Sequence, residues 1–244
     1  MLELKELVWK IPDGDTIIDG ISCRLDSRLT VITGPNGGGK STLAKLIMGI
    51  EEPTSGRIIL DGTDITDMDI TGRAKLGIAY AFQQPVRFKG LTVRDLLELS
   101  AGKKLAAEET CALLGKVGLC AEEYIDREMS AALSGGEAKR IEIATVLARN
   151  AKLSVFDEPE AGIDLWSFAR LVETFEDIRS STSGSLVIIS HQERILSIAD
   201  EIVVVADGKI RTSGKREDIL PLLLKGEFSG RCPAAAPQNG GGCK

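Results

Sequence analysis

Hydrophobic positions along the chain follow two rhythms. Over residues 2–11 and 17–25 apolar and polar residues alternate, the period of strands with one buried face, which predicts an antiparallel β edge. Further along, short apolar runs take over at 28–33, 76–82, 152–157, 185–190 and 201–206. Runs of this kind suit strands buried on both faces, and the helical patterns between them predict an α/β core with a mainly parallel sheet. Residues 85–133 turn helical. There Thr92 and Asp95 can cap a helix carrying Leu96 and Leu97, and 106–117 has helix-forming composition, so a helical lobe is expected over about 85–150. Residues 226–244 are rich in Gly, Pro and Ala with almost no apolar periodicity. They read as a mobile tail, leaving 1–225 as one domain of two lobes.

Chemistry enters at the third run. Directly after it come Gly34, Pro35, Asn36, Gly37, Gly38, Gly39, Lys40, Ser41 and Thr42, and an apolar helical stretch follows with Leu43, Leu46, Ile47 and Ile50. This is the phosphate-loop pattern G-x-x-x-x-G-K-[ST] between a strand and a helix. Its glycines let several N–H groups point at one phosphate, and the helix N-terminus adds a favourable dipole. The pattern makes ATP the leading ligand, with Lys40 on the outer phosphates and Ser41 on Mg²⁺. Chance alone would produce it in roughly one chain per hundred, so it needs independent support.

Two further strings supply that support. The run at 152–157 ends in Asp157 and Glu158, and strand alternation points the two carboxylates in different directions. Asp157 is read as the Mg²⁺ ligand and Glu158 as the base that orients and deprotonates the attacking water. Ser134, Gly135, Gly136 and Glu137 stand before a helical run. Ser134 and Glu137 make an S-x-x-E capping box, which needs no ligand, but two glycines inside a cap cost helix stability and leave room for a phosphate to approach the backbone.

In this order, the phosphate loop, the Leu-Ser-Gly-Gly-Glu string and the Asp-Glu strand end resemble the ATP-binding cassette (ABC) ATPase family over about residues 1–225. The resemblance extends to Gln83, to Asp164 six residues after Glu158, and to His191, the single histidine of the chain. It implies the ABC ATPase fold, and an ATP-dependent homodimer whose two copies pack head to tail. ATP would then lie between Lys40, Ser41, Gln83, Asp157, Glu158 and His191 of one copy and Ser134 to Glu137 of the other. It also implies that Gln83 couples Mg²⁺ and water to partner contacts, that His191 touches the γ-phosphate and that Asp164 links the two sites. The adjacent Gln84 leaves the switch glutamine open by one residue, and the string Ala81-Phe82-Gln83 favours Gln83.

Finer strings are similar to SufC, the ATPase of SUF iron-sulfur cluster assembly. They are Ala81-Phe82-Gln83-Gln84-Pro85, the run from Ser134 through Glu137, Lys139 and Arg140 to Glu142, and the run Glu158-Pro159-Glu160-Ala161-Gly162-Ile163-Asp164. That likeness implies a SufB-like or SufD-like scaffold as partner. The alternative is the ATPase subunit of an ABC membrane transporter, with a permease helix docked near Gln83 and residues 85–91. A third class, nucleotide binding without turnover, conflicts with the intact Glu158 and His191. Where many transporter ATPases stack an aromatic ring on adenine, the chain has Ile11. Trp9, two residues earlier on the same strand face, either covers the base or is ordinary packing.

Composition narrows the field. With 244 residues, 43% hydrophobic, the chain can bury a substantial core. A net charge of −6 shows no broad phosphate-backbone footprint, so nucleic acid is not an expected partner. No run approaches the roughly 18 apolar residues of a membrane span, and the N-terminus lacks a signal peptide's pattern. No direct membrane insertion and a cytoplasmic location are therefore expected. Five cysteines, an odd number without a close C-x-x-C pair, argue against a disulfide framework. Cys232 and Cys243 in the tail have no recognised metal-ligand spacing.

Overall fold

Strands β1 (Leu2–Lys10) and β2 (Thr16–Leu25) form the expected antiparallel edge, with Leu2 opposite Leu25 and Leu4 opposite Cys23. The computed structural model describes residues 1–226 apart from 13, 85, 131, 132, 182 and 183, so Pro85, Cys232 and Cys243 lie outside the described residues. Strand β3 (Leu29–Thr33) is buried at every position and leads into α1 (Lys40–Met48). Gly49, in the left-handed conformation, ends α1, so Ile50 is exposed beyond the helix rather than part of its apolar stripe. Strands β4 (Ser55–Leu60) and β5 (Thr63–Asp64) complete a four-stranded antiparallel sheet in the order β2-β1-β4-β5.

Helix α2 (Ile70–Leu76) takes the start of the run at 76–82, and the strand there, β6, is limited to Ile78–Ala81. Gly77, again left-handed, separates the two. The helical lobe follows as α3 (Val93–Ala101), α4 (Ala107–Lys116), α5 (Ala121–Tyr124) and α6 (Gly135–Ala148). Thr92 and Asp95 form the capping box of α3. The remaining elements are β7 (Leu153–Asp157), α7 (Leu165–Ser181), β8 (Ser185–Ile189), α8 (Glu193–Ser197), β9 (Glu201–Ala206), β10 (Lys209–Lys215) and α9 (Arg216–Leu224).

The larger sheet has the order β10-β9-β3-β8-β7-β6, parallel throughout except for the antiparallel β9–β10 edge. Strand alternation divides its side chains between two cores. Val31, Phe156 and Ile188 face the cluster shared with the helical lobe, whereas Ile32, Val155 and Ile189 face α1 and the antiparallel sheet. Phe156 packs edge-on against Phe175 of α7 at 5.0 Å between ring centroids. This packing from both faces fixes the carboxyl ends of β3, β7 and β8 side by side, the edge at which open parallel sheets present their ligand sites. Trp9 is half-buried against the second core and pairs with Ile18, while Ile11 is exposed. Among the described residues Cys23, Cys111 and Cys120 are free thiols, and no helix is long and apolar enough to cross a membrane.

Candidate functional site

The loop from β3 to α1 is shaped by its glycines. Gly34 has φ 136°, and a Cβ there would stand 2.0 Å from the carbonyl oxygen of Val205, so only glycine lets the loop pass β9. Gly39, at φ 100°, turns the chain into α1. Lys40 is buried and folds back over the loop, its Nζ donating to the carbonyls of Gly34 at 2.8 Å and Pro35 at 2.9 Å. Burial lowers its pKa, and the charges of Glu158 and Asp157 oppose that shift.

Asp157 and Glu158 end β7 beside this loop. The Ser41 hydroxyl donates to Asp157 Oδ1 at 3.1 Å and the Tyr80 hydroxyl donates to Oδ2 at 3.1 Å. Burial raises the Asp157 carboxyl pKa against the pull of these two bonds. It also raises the Tyr80 phenol, which stays a donor. Glu158 takes φ 45°, a left-handed conformation that a non-glycine residue adopts only when its surroundings hold it there. Its N–H donates to the Ile189 carbonyl at 3.0 Å, which helps to hold it. The Gln83 amide donates to Glu158 Oε2 at 2.6 Å, whereas Gln84 is exposed and has no such bond.

Gln83 is itself held from below. Phe82 N–H donates to Glu142 Oε1 at 2.9 Å, and Lys139 Nζ donates to the Phe82 carbonyl, to Gln83 O at 3.4 Å and to Glu142 Oε2 at 3.0 Å. Lys139 and Glu142 are an ion pair one turn apart on α6, both buried. Burial is the larger influence on Glu142 and raises its pKa, with Lys139 opposing. The helix that starts with Ser134 is thus tied to the glutamine loop.

Ser134 is the N-cap of α6 and forms the expected box with Glu137. Glu137 also accepts the Tyr124 hydroxyl, the largest of the influences that hold its pKa down to about 2. Among the described residues nothing crowds Gly135, and a Cβ on Gly136 would meet only the Gly162 carbonyl at 3.8 Å, so their packing does not demand either glycine. Asp164 caps α7, accepting from the N–H groups of Trp166 and Ser167 at 3.0 Å each. His191 is exposed directly after β8, with Gln192 Nε2 3.4 Å from its Nε2.

Within one subunit, then, residues 34–42, Gln83, Asp157, Glu158 and His191 gather at one sheet edge. Among the described residues, no hydrogen bond joins Ser134 to Glu137 with the phosphate loop. The roles of Tyr80, Tyr124, Lys139 and Glu142 were not foreseen from sequence. Lys139 and Glu142 left one signal, a charged pair at i, i+3 inside a helix whose neighbours Ala138, Ile141 and Ile143 are buried.

A family model described as "ABC transporter" matches residues 19–161, which include the phosphate loop, Gln83, Asp157, Glu158 and the capped start of α6 but not His191. The chain belongs to the ABC ATPase family. An uncharacterised ABC transporter ATP-binding protein of Methanocaldococcus jannaschii is 37% identical over 234 residues, covering 91% of both chains. A putative ABC transporter ATP-binding protein of Pyrococcus abyssi is 31% identical over 92% of this chain and 87% of its own. Among solved structures, a nucleotide-free ATP-binding cassette from an ABC transporter superposes with a TM-score of 0.79 at 26% identity, covering 94% of this chain and 97% of the other. A dimeric cassette in a post-hydrolysis state with ADP and phosphate shares the fold at a TM-score of 0.78 and 22% identity, over 88% and 99%. For this ABC ATPase the names of the two relatives just given speak of ABC transport.

Proposed function

We propose that this chain is the ATP-hydrolysing subunit of an ABC machine, in which two copies close head to tail on ATP and hydrolysis reopens them. The observation that carries the reading is the Gln83–Glu158 contact, because it ties the carboxylate next to the phosphate loop to the loop that leads into the helical lobe. As ATP binds, Lys40 exchanges the carbonyls of Gly34 and Pro35 for phosphate oxygens, and the backbone N–H groups of the loop surround the same phosphates. Ser134 to Glu137 of the second copy complete the site with the N-terminus of α6, and His191 approaches the γ-phosphate.

Glu158, oriented by Gln83, takes a proton from a water whose oxygen attacks the γ-phosphorus as the bond to the ADP oxygen breaks. One serine hydroxyl and one carboxylate, 3.1 Å apart, suit Mg²⁺, which takes few protein oxygens and completes its shell with water and phosphate. Ser41 and Asp157 would hold the ion, with Gln83 beside them, and when bound it neutralises phosphate charge. No larger cluster of metal-ligating side chains occurs among the described residues.

For the partner, the names of the relatives favour a transporter permease. An apolar groove of about 310 Å³ beside Gln83, lined by Phe82, Val86, Phe88, Leu91, Leu99 and Met129, could receive a helix of such a partner. The second reading, a SufB-like or SufD-like scaffold for iron-sulfur cluster assembly, rests on the strings around Gln83, Glu137 and Glu160. The chain carrying Glu158→Gln, isolated from its native cells with Mg-ATP, separates the two. A multi-span membrane protein in the complex supports the transporter reading and removes the scaffold reading, and a water-soluble scaffold subunit does the opposite.

A further inference from the structure

Glu160 is a carboxylate that the proposed chemistry does not use. Its Oε1 accepts the Ser190 hydroxyl at 2.5 Å, while its Oε2 is buried and has no hydrogen-bond partner among the described residues. Such an unpaired oxygen is a cost that serine or alanine would avoid, which calls for an explanation. Ser190 is buried and fixed on all sides. Its N–H donates to Ile32 O at 3.1 Å, and its Oγ accepts the Gln192 N–H at 3.0 Å, so it sets the turn that holds His191 between them.

On the other side Glu160 belongs to the loop leading to Asp164. Ala161 N–H donates to Glu158 O at 3.0 Å and Ile163 N–H to Glu160 O at 3.1 Å, closing residues 158–163 into consecutive turns. One side-chain bond therefore joins the Asp164 loop to the His191 turn. Burial is the main influence on the Glu160 carboxyl and raises its pKa, whereas the Ser190 hydroxyl, its own backbone N–H and His191 lower it and Glu158 raises it further.

We propose that Glu160 is a positioning residue that locks the His191 turn to the Asp164 loop, so that a shift of Asp164 at the subunit contact reaches His191 of the same copy. The inference rests on the head-to-tail reading given above. It differs from a packing role in what it predicts. Losing packing lowers stability and nucleotide affinity together, whereas losing the lock slows turnover in a protein that still folds, binds ATP and dimerises.

The test measures ATP hydrolysis by Glu160→Ala, Glu160→Gln, Ser190→Ala and the double variant Glu160→Ala/Ser190→Ala. ATP affinity and dimer formation are measured with each change placed on Glu158→Gln. The expected result is a kcat about tenfold or more lower for Glu160→Ala and Ser190→Ala, from misplacement of His191, with ATP affinity and dimerisation retained. The double variant is no slower than the slower single one, because both remove the same bond. Glu160→Gln, which keeps a carbonyl oxygen for Ser190, recovers most of the rate. If Glu160→Ala fails to fold, Ser190→Ala removes the same bond from the other end and carries the test. Unchanged kcat in Ser190→Ala, additive losses, or a Glu160→Gln as slow as Glu160→Ala would overturn the inference alone. Failure of Glu158→Gln itself to dimerise with ATP would remove the head-to-tail reading and this inference with it.

Discussion

The side-chain amide of Gln83 donates to Oε2 of Glu158 at 2.6 Å, so the glutamine loop holds one of the two oxygens of the carboxylate proposed as general base. The same loop is held by Lys139 and Glu142 of α6, the helix whose N-terminus would face a second copy in the proposed dimer. Closure of two copies would move α6 and, through these bonds, Gln83. Gln83→Ala should keep ATP binding and lower kcat by about tenfold or more, in the range typical of disturbed acid-base catalysis. Steady-state hydrolysis with a separate binding titration checks this. A faster variant would mean that Gln83 restrains Glu158 instead of directing it.

Lys40 makes both of its bonds to loop carbonyls and lies near Asp157 and Glu158. Lys40→Ala removes the charge that the phosphates would take over. ATP affinity should fall by about a hundredfold, equal to ~2.8 kcal/mol, as read by titration calorimetry. Thermal stability without nucleotide should change little by comparison.

The Lys139–Glu142 pair is buried, with side chains 0% and 10% exposed. Lys139→Met leaves a buried carboxylate without its partner and should cost about 3–5 kcal/mol in chemical denaturation. Adding Glu142→Leu removes that carboxylate, so the double variant should be more stable than Lys139→Met alone. Its hydrolysis should stay low, since the Phe82 and Gln83 carbonyls lose Lys139 in both.

Acid should loosen the start of α6. The Tyr124 hydroxyl and the Ser134 bonds hold the Glu137 pKa at about 2, below its ordinary value of 4.5. A carboxylate with a depressed folded pKa contributes stability that is present above about 4.5 and is lost as pH falls toward 2. Wild type should therefore lose more stability than Glu137→Gln between about pH 4.5 and 2, as measured by denaturation at several pH values. Asp157, Glu142 and Glu160 are shifted upward by burial and act with the opposite sign, so the comparison is between variants rather than on the wild-type curve alone.

Much of this was legible in the sequence, for identifiable reasons. Largely apolar runs marked β3, β7, β8 and β9, because strands covered on both faces leave few polar positions to confuse the pattern. The phosphate loop, the Asp157-Glu158 end and the Ser134–Glu137 cap are local, so spacing alone located them. What escaped was non-local or set by a single glycine. The Tyr80–Asp157 bond spans 77 positions and the Phe82–Glu142 bond 60, and no periodicity signals such a meeting. Strand β10, exposed at alternate positions, lacks an apolar run, and Gly49 and Gly77 moved the ends of α1 and β6 by a few residues.

The most direct test of the central claim combines light scattering and hydrolysis for Glu158→Gln with Mg-ATP. This chain's account predicts a stable dimer that forms with ATP, does not form in Lys40→Ala, and hydrolyses at a rate reduced by about 10² or more. A Glu158→Gln protein that stays monomeric with saturating ATP, or that hydrolyses it at the wild-type rate, would contradict the account.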